Sequence, residues 1–253
     1  MSNRTETVNI SRRSFVEKSA AAAAALTIAP GVILNTAQAK PAGEAVTDAK
    51  RWGILIDTAK CGNGCNDCVT ACHEENGIEA SNHPDHNNQL TSQQWIRKVK
   101  LRDKLTNHVV SLPMMCQHCE NPPCVDVCPT GASFKRVDGI VLVDRHICIG
   151  CRYCMMACPY KARSFAHEVV DNKVDFQPRG KGTVESCTMC VHRVDSDGTP
   201  ACVEACSAAE HGAMVFGDLK NPESEISKQL VKHGGKQIRA DLGLNTGVRY
   251  RGI

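Results

Sequence analysis

The chain has 253 residues, with 30 Lys and Arg against 27 Asp and Glu; beyond residue 39 the balance narrows to 26 against 25. So near-neutral a chain offers no electrostatic case for nucleic acid or for an anionic membrane surface as partner. Aromatic residues make up only 4% while cysteines number 16, so large side chains supply little core and metal–thiolate bonds can take over that task.

Residues 1–39 read as an export signal. Ser11-Arg12-Arg13-Ser14-Phe15 has the form of a twin-arginine motif, and an alanine-rich apolar stretch runs from Ser19 to Leu34. Ala37-Gln38-Ala39 supplies small residues for cleavage after Ala39. The stretch is short of the ~20 residues that cross a bilayer and is broken by Pro30-Gly31, so a cleaved twin-arginine (Tat) signal is expected rather than an anchor. That route exports folded proteins, and the expected location is the periplasm. Nothing after residue 40 is apolar enough to span a membrane.

Arg51–Thr58 predicts a strand with Ile54 and Ile56 on one face. It leads into the first of four cysteine runs, Cys61, Cys65, Cys68 and Cys72, spaced C-x3-C-x2-C-x3-C. Residues 63–64 and 82–88 predict loops. His73, His83 and His86 read as solvated, because the neighbouring quartet is complete without them. Gln94–Arg102 and Asn107–Leu112 predict two strands joined by a polar turn. The second run, Cys116, Cys119, Cys124 and Cys128, is spaced C-x2-C-x4-C-x3-C and followed by Pro129. Ala132–Val137 and Ile140–Asp144 flank Asp138-Gly139, a type I′ hairpin cue.

The third run, Cys148, Cys151, Cys154 and Cys158 with Pro159, has the C-x2-C-x2-C-x3-C-P spacing by which bacterial ferredoxins hold [4Fe–4S] clusters. Short helices are predicted near Cys124–Cys128 and Cys154–Cys158. The fourth run, Cys187, Cys190, Cys202 and Cys206, contains an 11-residue spacer that reads as a polar loop. Gly212–Phe216 predicts a strand stopped by Gly217, Glu225–Lys232 a short helix, and Lys236–Ile253 a polar tail laid on the surface.

Sixteen thiolates at four per cluster give four [4Fe–4S] clusters with none left over. In the third run three crowded cysteines can wrap one cube, while Cys158 is placed to reach a neighbouring one. Zinc needs two C-x2-C pairs per ion, and disulfide scaffolds are usually short chains without such tight repeating intervals; both readings are disfavoured. Each oxidised cube with four thiolates carries about −2, which amide N–H groups and cations must offset. Arg145, Arg152, Lys161 and Arg163 are candidates for that role, with plain solvated surface as the alternative. No Walker loop, dinucleotide fingerprint or catalytic set is present, so the sequence points to an electron carrier rather than an enzyme.

The order of the quartets resembles the four-cluster ferredoxin-like subunits of bacterial membrane redox complexes, over roughly residues 50–250. The segments CQHCENPPCVDVCPTGASFKRVDGIV, DRHICIGCRYCMMACPYKARSF, PACVEAC and GAMVFGDLKNPESE are most similar to the DsrO branch. Those are exported subunits of the DsrMKJOP membrane complexes of dissimilatory sulfur metabolism. Asn245-Thr246-Gly247-Val248 departs from the wider family's G-T-x-P tail by lacking the proline. The resemblance implies an α+β fold of two nested bacterial-ferredoxin-like (2×[4Fe–4S]) domains with short hairpins and short helices. The outer one would be 50–112 plus 184–216 and the inner one 113–183, followed by a C-terminal extension, 217–253.

The same resemblance implies a ligation scheme. Cys61, Cys65 and Cys68 would share a cluster with Cys206, and Cys72 would join Cys187, Cys190 and Cys202. Cys116, Cys119 and Cys124 would pair with Cys158, and Cys128 with Cys148, Cys151 and Cys154. The implied partners are an integral-membrane quinone-interacting subunit and a cytochrome c or other redox subunit, with membrane association only through them. An alternative is the electron-transfer subunit of an exported molybdopterin oxidoreductase of the tetrathionate, polysulfide or thiosulfate reductase type, or of formate-dependent nitrite reduction.

Overall fold

The computed structural model describes residues 45–62, 64–78, 93–170, 174–209 and 211–253. The expected export signal and the 82–88 loop with His83 and His86 lie outside the described residues. In chain order the elements are β1 (Trp52–Asp57), α1 (Asp67–Glu75), β2 (Ile96–Arg102), β3 (Val109–Met115), α2 (Pro123–Asp126), β4 (Ser133–Lys135) and β5 (Val141–Val143). They continue with α3 (Tyr153–Ala157), β6 (Arg163–Phe165), β7 (Val184–Ser186), α4 (Val191–Val194), α5 (Ala201–Ala208), β8 (Met214–Asp218), α6 (Glu225–His233) and β9 (Val248–Arg251). Every element is short, as expected where loops carry the function.

The apolar run of β1 lies buried at the centre of a three-stranded sheet. β8 pairs with it antiparallel, Ile54 opposite Phe216, and β9 pairs parallel, with Ile54 opposite Val248 and Ile56 opposite Tyr250. The tail is therefore not laid on the surface. Val248 and Tyr250 are fully buried, and the Tyr250 hydroxyl donates to the Pro113 carbonyl (3.0 Å) and accepts from the Gln117 amide (3.1 Å). Only those two residues of Val-Arg-Tyr-Arg face inward, so the hydrophobic alternation is too brief to stand out in the sequence.

β8 also runs through Gly217 instead of stopping there. α6 packs on the strand at that point, and a Cβ on residue 217 would meet Ile226 Cγ2 at 2.9 Å. Ser224 caps α6 by accepting the Ser227 N–H.

β2 and β3 form the expected hairpin, β2 beginning two residues later than expected and β3 lying two to three residues further on, with Ile96 opposite Met115 and Arg102 opposite Val109. The β4–β5 hairpin also forms, but not through a two-residue type I′ loop. Arg136 and Ile140 close a three-residue loop in which Gly139 alone takes a positive φ (88°) and Asp138 does not. This is a type I turn followed by a left-handed residue. The buried Asp138 carboxylate holds the loop through Arg136 Nη2 (2.8 Å). The spacer of the fourth run contains a helical turn, α4, as well as loop.

One polar lock ties the hairpins together. Glu185 on β7 and Arg179 are 0% and 4% exposed and form a bidentate pair at 3.0 Å on both arms. Trp95, just before β2, donates its indole N–H to the same carboxylate (3.2 Å), and Arg179 reaches the Gly77 carbonyl beyond α1. Removing one member of a buried pair strands the other charge. Glu185→Gln is accordingly expected to destabilise the folded protein by about 3–5 kcal/mol, read as a lowered midpoint in chemical denaturation; a loss under about 1 kcal/mol would contradict this role.

Candidate metal centres

Each cysteine run is shaped by the same backbone device. The residue just before the second cysteine has a positive φ in all four: Gly64 (90°), His118 (44°), Gly150 (70°) and Met189 (55°). Such a turn bends the chain so that thiols converge and successive N–H groups form a concave, electropositive cradle. At Gly150 a Cβ would fall 2.3 Å from the Gly182 carbonyl, so only glycine fits. His118 holds the conformation differently: it is buried, and its Nδ1 accepts the Val141 N–H (3.0 Å). Burial, with help from Arg163, pushes its pKa down to about 3, so the ring is neutral.

The second and third runs also end alike. Gly131 and Lys161 both have positive φ, and their N–H groups donate to the Cys128 and Cys158 carbonyls (3.3 and 3.2 Å). Each turn then feeds a strand, β4 or β6.

The fourth cysteine of each run leaves its neighbours. Cys61, Cys65 and Cys68 line one cavity of about 320 Å³ with Cys206. Cys116, Cys119 and Cys124 line a second, also about 320 Å³, with Cys158. Cys128 meets Cys148, Cys151 and Cys154 around a third of about 270 Å³. Cys72 stands among Cys187, Cys190 and Cys202; burial first, then these three sulfurs, push its thiol pKa far up. Helical spacing explains the exchange. Cys68 and Cys72 sit four apart on α1, and Cys202 and Cys206 four apart on α5, so each helix offers one thiol to each of two adjacent groups. Cys124 and Cys128, and Cys154 and Cys158, repeat the arrangement around α2 and α3.

The groups form a row. Cys68 raises the pKa of Cys72 and Cys202, Cys116 that of Cys187, and Cys154 that of Cys124, each after the larger effect of burial. The row thus begins at the Cys61 group, passes through the Cys72 and Cys116 groups and ends at the Cys128 group. All eight cysteines of the two middle groups are buried, whereas Cys61, Cys65, Cys128 and Cys148 are half-buried and Cys151 is exposed. Burial holds Cys68 and Cys119 at about 12, so soft cations must displace protons on binding.

Several donors point at sulfur. Lys98 Nζ is 2.6 Å from Cys61, Arg163 Nη2 is 3.1 Å from Cys124, and the Ser133 and Met189 amides are each 3.3 Å from Cys128 and Cys187. Of the four cations singled out in the sequence, Arg163 alone bonds a sulfur. Arg145 bonds the Pro178 carbonyl and lies over Trp95, Arg152 stacks on Phe165, and Lys161 is exposed. Lys98 was not foreseen, nor were Asp67 and His211, which lie beside Cys65. The fold brings Lys98 and His211 from other parts of the chain, so no spacing marks them; Asp67 lies within the first run, two residues after Cys65, and carries no spacing cue of its own. His73 differs from expectation: it is half-buried on α1, and burial lowers its pKa.

The donor set tests which group these sites suit. All sixteen cysteines are free thiols gathered in fours, a soft sulfur environment. N–H and cationic donors aimed at those sulfurs fit a ligand cage carrying net negative charge. The buried Arg163 Nη1, without a protein partner, is a further donor of that kind. These features define a cysteine-caged iron–sulfur protein.

Comparison with known proteins agrees. Two 4Fe–4S dicluster domain models match, over residues 57–132 and 107–219. The chain is 40% identical to the Hdr-like menaquinol oxidoreductase iron–sulfur subunit 1 of Archaeoglobus fulgidus, over 95% of this chain and 97% of that protein. It is 39% identical to a tetrathionate reductase subunit of Salmonella typhimurium, over 80% and 73% of the two chains. It is 37% identical to the menaquinone reductase iron–sulfur cluster-binding subunit of Nitratidesulfovibrio vulgaris, over 79% and 88%. The chain belongs to this family of 4Fe–4S ferredoxin-like iron–sulfur subunits of oxidoreductase complexes. Two dicluster domains and sixteen cysteines fit four [4Fe–4S] clusters, each of which takes up and releases a single electron.

Because so much of the buried core is thiol, stripping iron with a chelator under anaerobic conditions is expected to unfold the described domain. Far-UV circular dichroism and protease sensitivity check this; a metal-free chain that keeps its helices and resists protease would refute it.

Proposed function

We propose that the chain is a one-electron relay in a membrane-bound respiratory complex, passing electrons along four [4Fe–4S] centres. The centres would lie between an integral-membrane quinone-interacting subunit and a cytochrome c or other redox subunit. The observation that carries the reading is the row of cysteine groups, with a half-exposed group at each end and two buried groups between. Exposed ends give partners access, and a buried middle keeps water and oxidants from the electron. Each centre would be held as the groups meet: Cys61, Cys65, Cys68 and Cys206; Cys72, Cys187, Cys190 and Cys202; Cys116, Cys119, Cys124 and Cys158; Cys128, Cys148, Cys151 and Cys154. In this scheme an inner ferredoxin-like half, 113–183, is nested within an outer one, 50–112 plus 184–216.

The complex we favour is of the DsrO-bearing type, in dissimilatory sulfite and sulfate metabolism, with the chain exported folded by the Tat route and held at the periplasmic face by its partners. The twin-arginine segment and the sequence around Ala162–Phe165 support that choice. The named roles of the Archaeoglobus and Nitratidesulfovibrio relatives support a quinone partner. Among the described residues no helix is long and apolar enough to cross a membrane, consistent with attachment through partners. A second reading, the relay of an exported molybdopterin oxidoreductase, is favoured by the 39% identity to the tetrathionate reductase subunit.

Anaerobic purification of the native complex separates the two. The expected result is ~16 iron atoms per chain, together with a multi-span quinone-reactive subunit and a cytochrome. A tightly bound molybdopterin subunit would instead establish the second reading. Within the chain, Cys158→Ser and Cys206→Ser are each expected to lose or convert one centre, removing up to about four irons. Four intact, reducible centres in either variant would break the crossed scheme.

A further inference from the structure

Arg163 opens β6 and is 6% exposed, yet no carboxylate among the described residues bonds it. Its Nη2 donates to Cys124 Sγ (3.1 Å) and to Ser133 Oγ (2.7 Å), while Nη1 is buried without a protein partner. Ser133 in turn donates its own N–H to Cys128 Sγ (3.3 Å), so the guanidinium stands between Cys124 and the residue that bonds Cys128. Those two sulfurs belong to different groups, since Cys124 shares a cavity with Cys116, Cys119 and Cys158, and Cys128 lies with Cys148, Cys151 and Cys154. Ser133 is the repeat counterpart of Arg163, each standing five residues after the last cysteine of its run. One half of the repeat thus supplies a cation and the other a neutral hydroxyl that orients it.

Among the described residues no other group has so deeply buried a cation bonded to a sulfur. The Cys61 group has Lys98, which is part-exposed and so screened by water. Around the Cys72 group the sulfur donors include the Asn76 amide (3.8 Å) and the Met189 N–H (3.3 Å), both neutral, and the nearby cation Arg193 is part-exposed and paired with Glu75 and Glu204.

We infer that Arg163 is the potential-setting residue of the relay, a fixed buried cation shared by the Cys116 and Cys128 groups that makes both easier to reduce than they would otherwise be. The inference rests on the proposed assignment of clusters to those groups. The step it acts on moves one electron from a reduced centre to the adjoining oxidised one, with no bond made or broken and no proton transferred. Arg163 contributes by standing next to the added negative charge at low dielectric, where its attraction is little screened. Its guanidinium is fixed in place by the Cys124 sulfur and the Ser133 hydroxyl together.

The test uses the full holoprotein, prepared anaerobically as wild type, Arg163→Gln and Arg163→Lys. Iron content is measured first, and EPR-monitored redox titration second. Arg163→Gln with full iron is expected to weaken two of the four reduction steps by tenfold or more, ~59 mV per tenfold for one electron, and to leave the other two unchanged. Arg163→Lys, which keeps the charge, is expected to recover most of that loss. Four unmoved steps in Arg163→Gln, or a lysine variant as impaired as the glutamine one, would overturn the inference. If Arg163→Gln does not hold its iron, wild-type protein grown on [15N]arginine decides. Pulsed EPR should then resolve a guanidinium nitrogen coupled to a reduced centre, lost in Arg163→Lys, and absence of that coupling in wild type overturns the inference. Wild-type protein with fewer than four centres would fail the cluster assignment itself, a failure visible in iron content before any potential is read.

Discussion

The constraint on which this structure depends is that each group of four thiols draws three from one run and the fourth from another. A cage built from a single run could fold and fail by itself. Here Cys206 closes the group begun at Cys61, and Cys72 closes the group of Cys187, Cys190 and Cys202, so α1 and α5 are bound to one another through two adjacent sites. The same exchange joins α2 to α3 through Cys158 and Cys128. Fixing a long loop at both ends removes much of its freedom in the unfolded chain, and the gain rises only slowly with loop length. That lets the first and fourth runs, separated by more than a hundred residues, close on each other without prohibitive cost. A chain with 4% aromatic residues and small two-stranded sheets has few other means of holding its shape.

Crossing also sets spacing. Two thiols four residues apart on one helix reach adjacent groups, so the distance between neighbouring centres is written into the helical repeat rather than into loop packing. Rigid separation is what serial one-electron transfer requires. The electrostatic environment is less uniform than the geometry. Cysteines in the middle of the row sit where burial drives thiols far above their ordinary range, and only some of them have a cation nearby. The protein's remaining freedom to tune the relay therefore lies in a few non-cysteine side chains, Lys98 and Arg163 foremost.

Much of this was legible in the sequence, and the reasons differ by feature. Cysteine spacing is direct information, because four-residue intervals on short helices and two-residue intervals on tight turns translate at once into converging thiols. β1 was readable from its apolar run, and the β4–β5 hairpin from the Asp138-Gly139 turn cue between apolar segments. β9 was not, since a strand with two inward residues carries almost no periodic signal, and its parallel pairing with β1 depends on chain reversal through α6. The left-handed turns were half visible. Gly64 and Gly150 advertise them, but His118 and Met189 occupy the same conformation with side chains that ordinarily avoid it. Surrounding structure, such as the Val141 amide on His118, overrides that preference, and local sequence cannot reveal it. Lys98 and His211 were invisible for a related reason, each reaching its site from a distant part of the chain, whereas Asp67 stood within the first run and carried no spacing cue of its own.

The nesting of the runs explains why the row has its particular ends. Pairing first with fourth and second with third leaves the inner pair to fold locally, as a β-hairpin between two cysteine loops, while the outer pair must close around it. The cysteines that face the join, Cys72 and Cys187 on one side and Cys116 on the other, are then necessarily interior. Those farthest from the join, near Cys61 and Cys151, are left toward solvent. A serial arrangement of runs, first with second and third with fourth, would also give four cages, but its halves would meet through an ordinary inter-domain surface free to slide. In the proposed scheme, enclosing one half in the other would remove that freedom, and the middle step of the relay would be held as rigidly as the steps within each half.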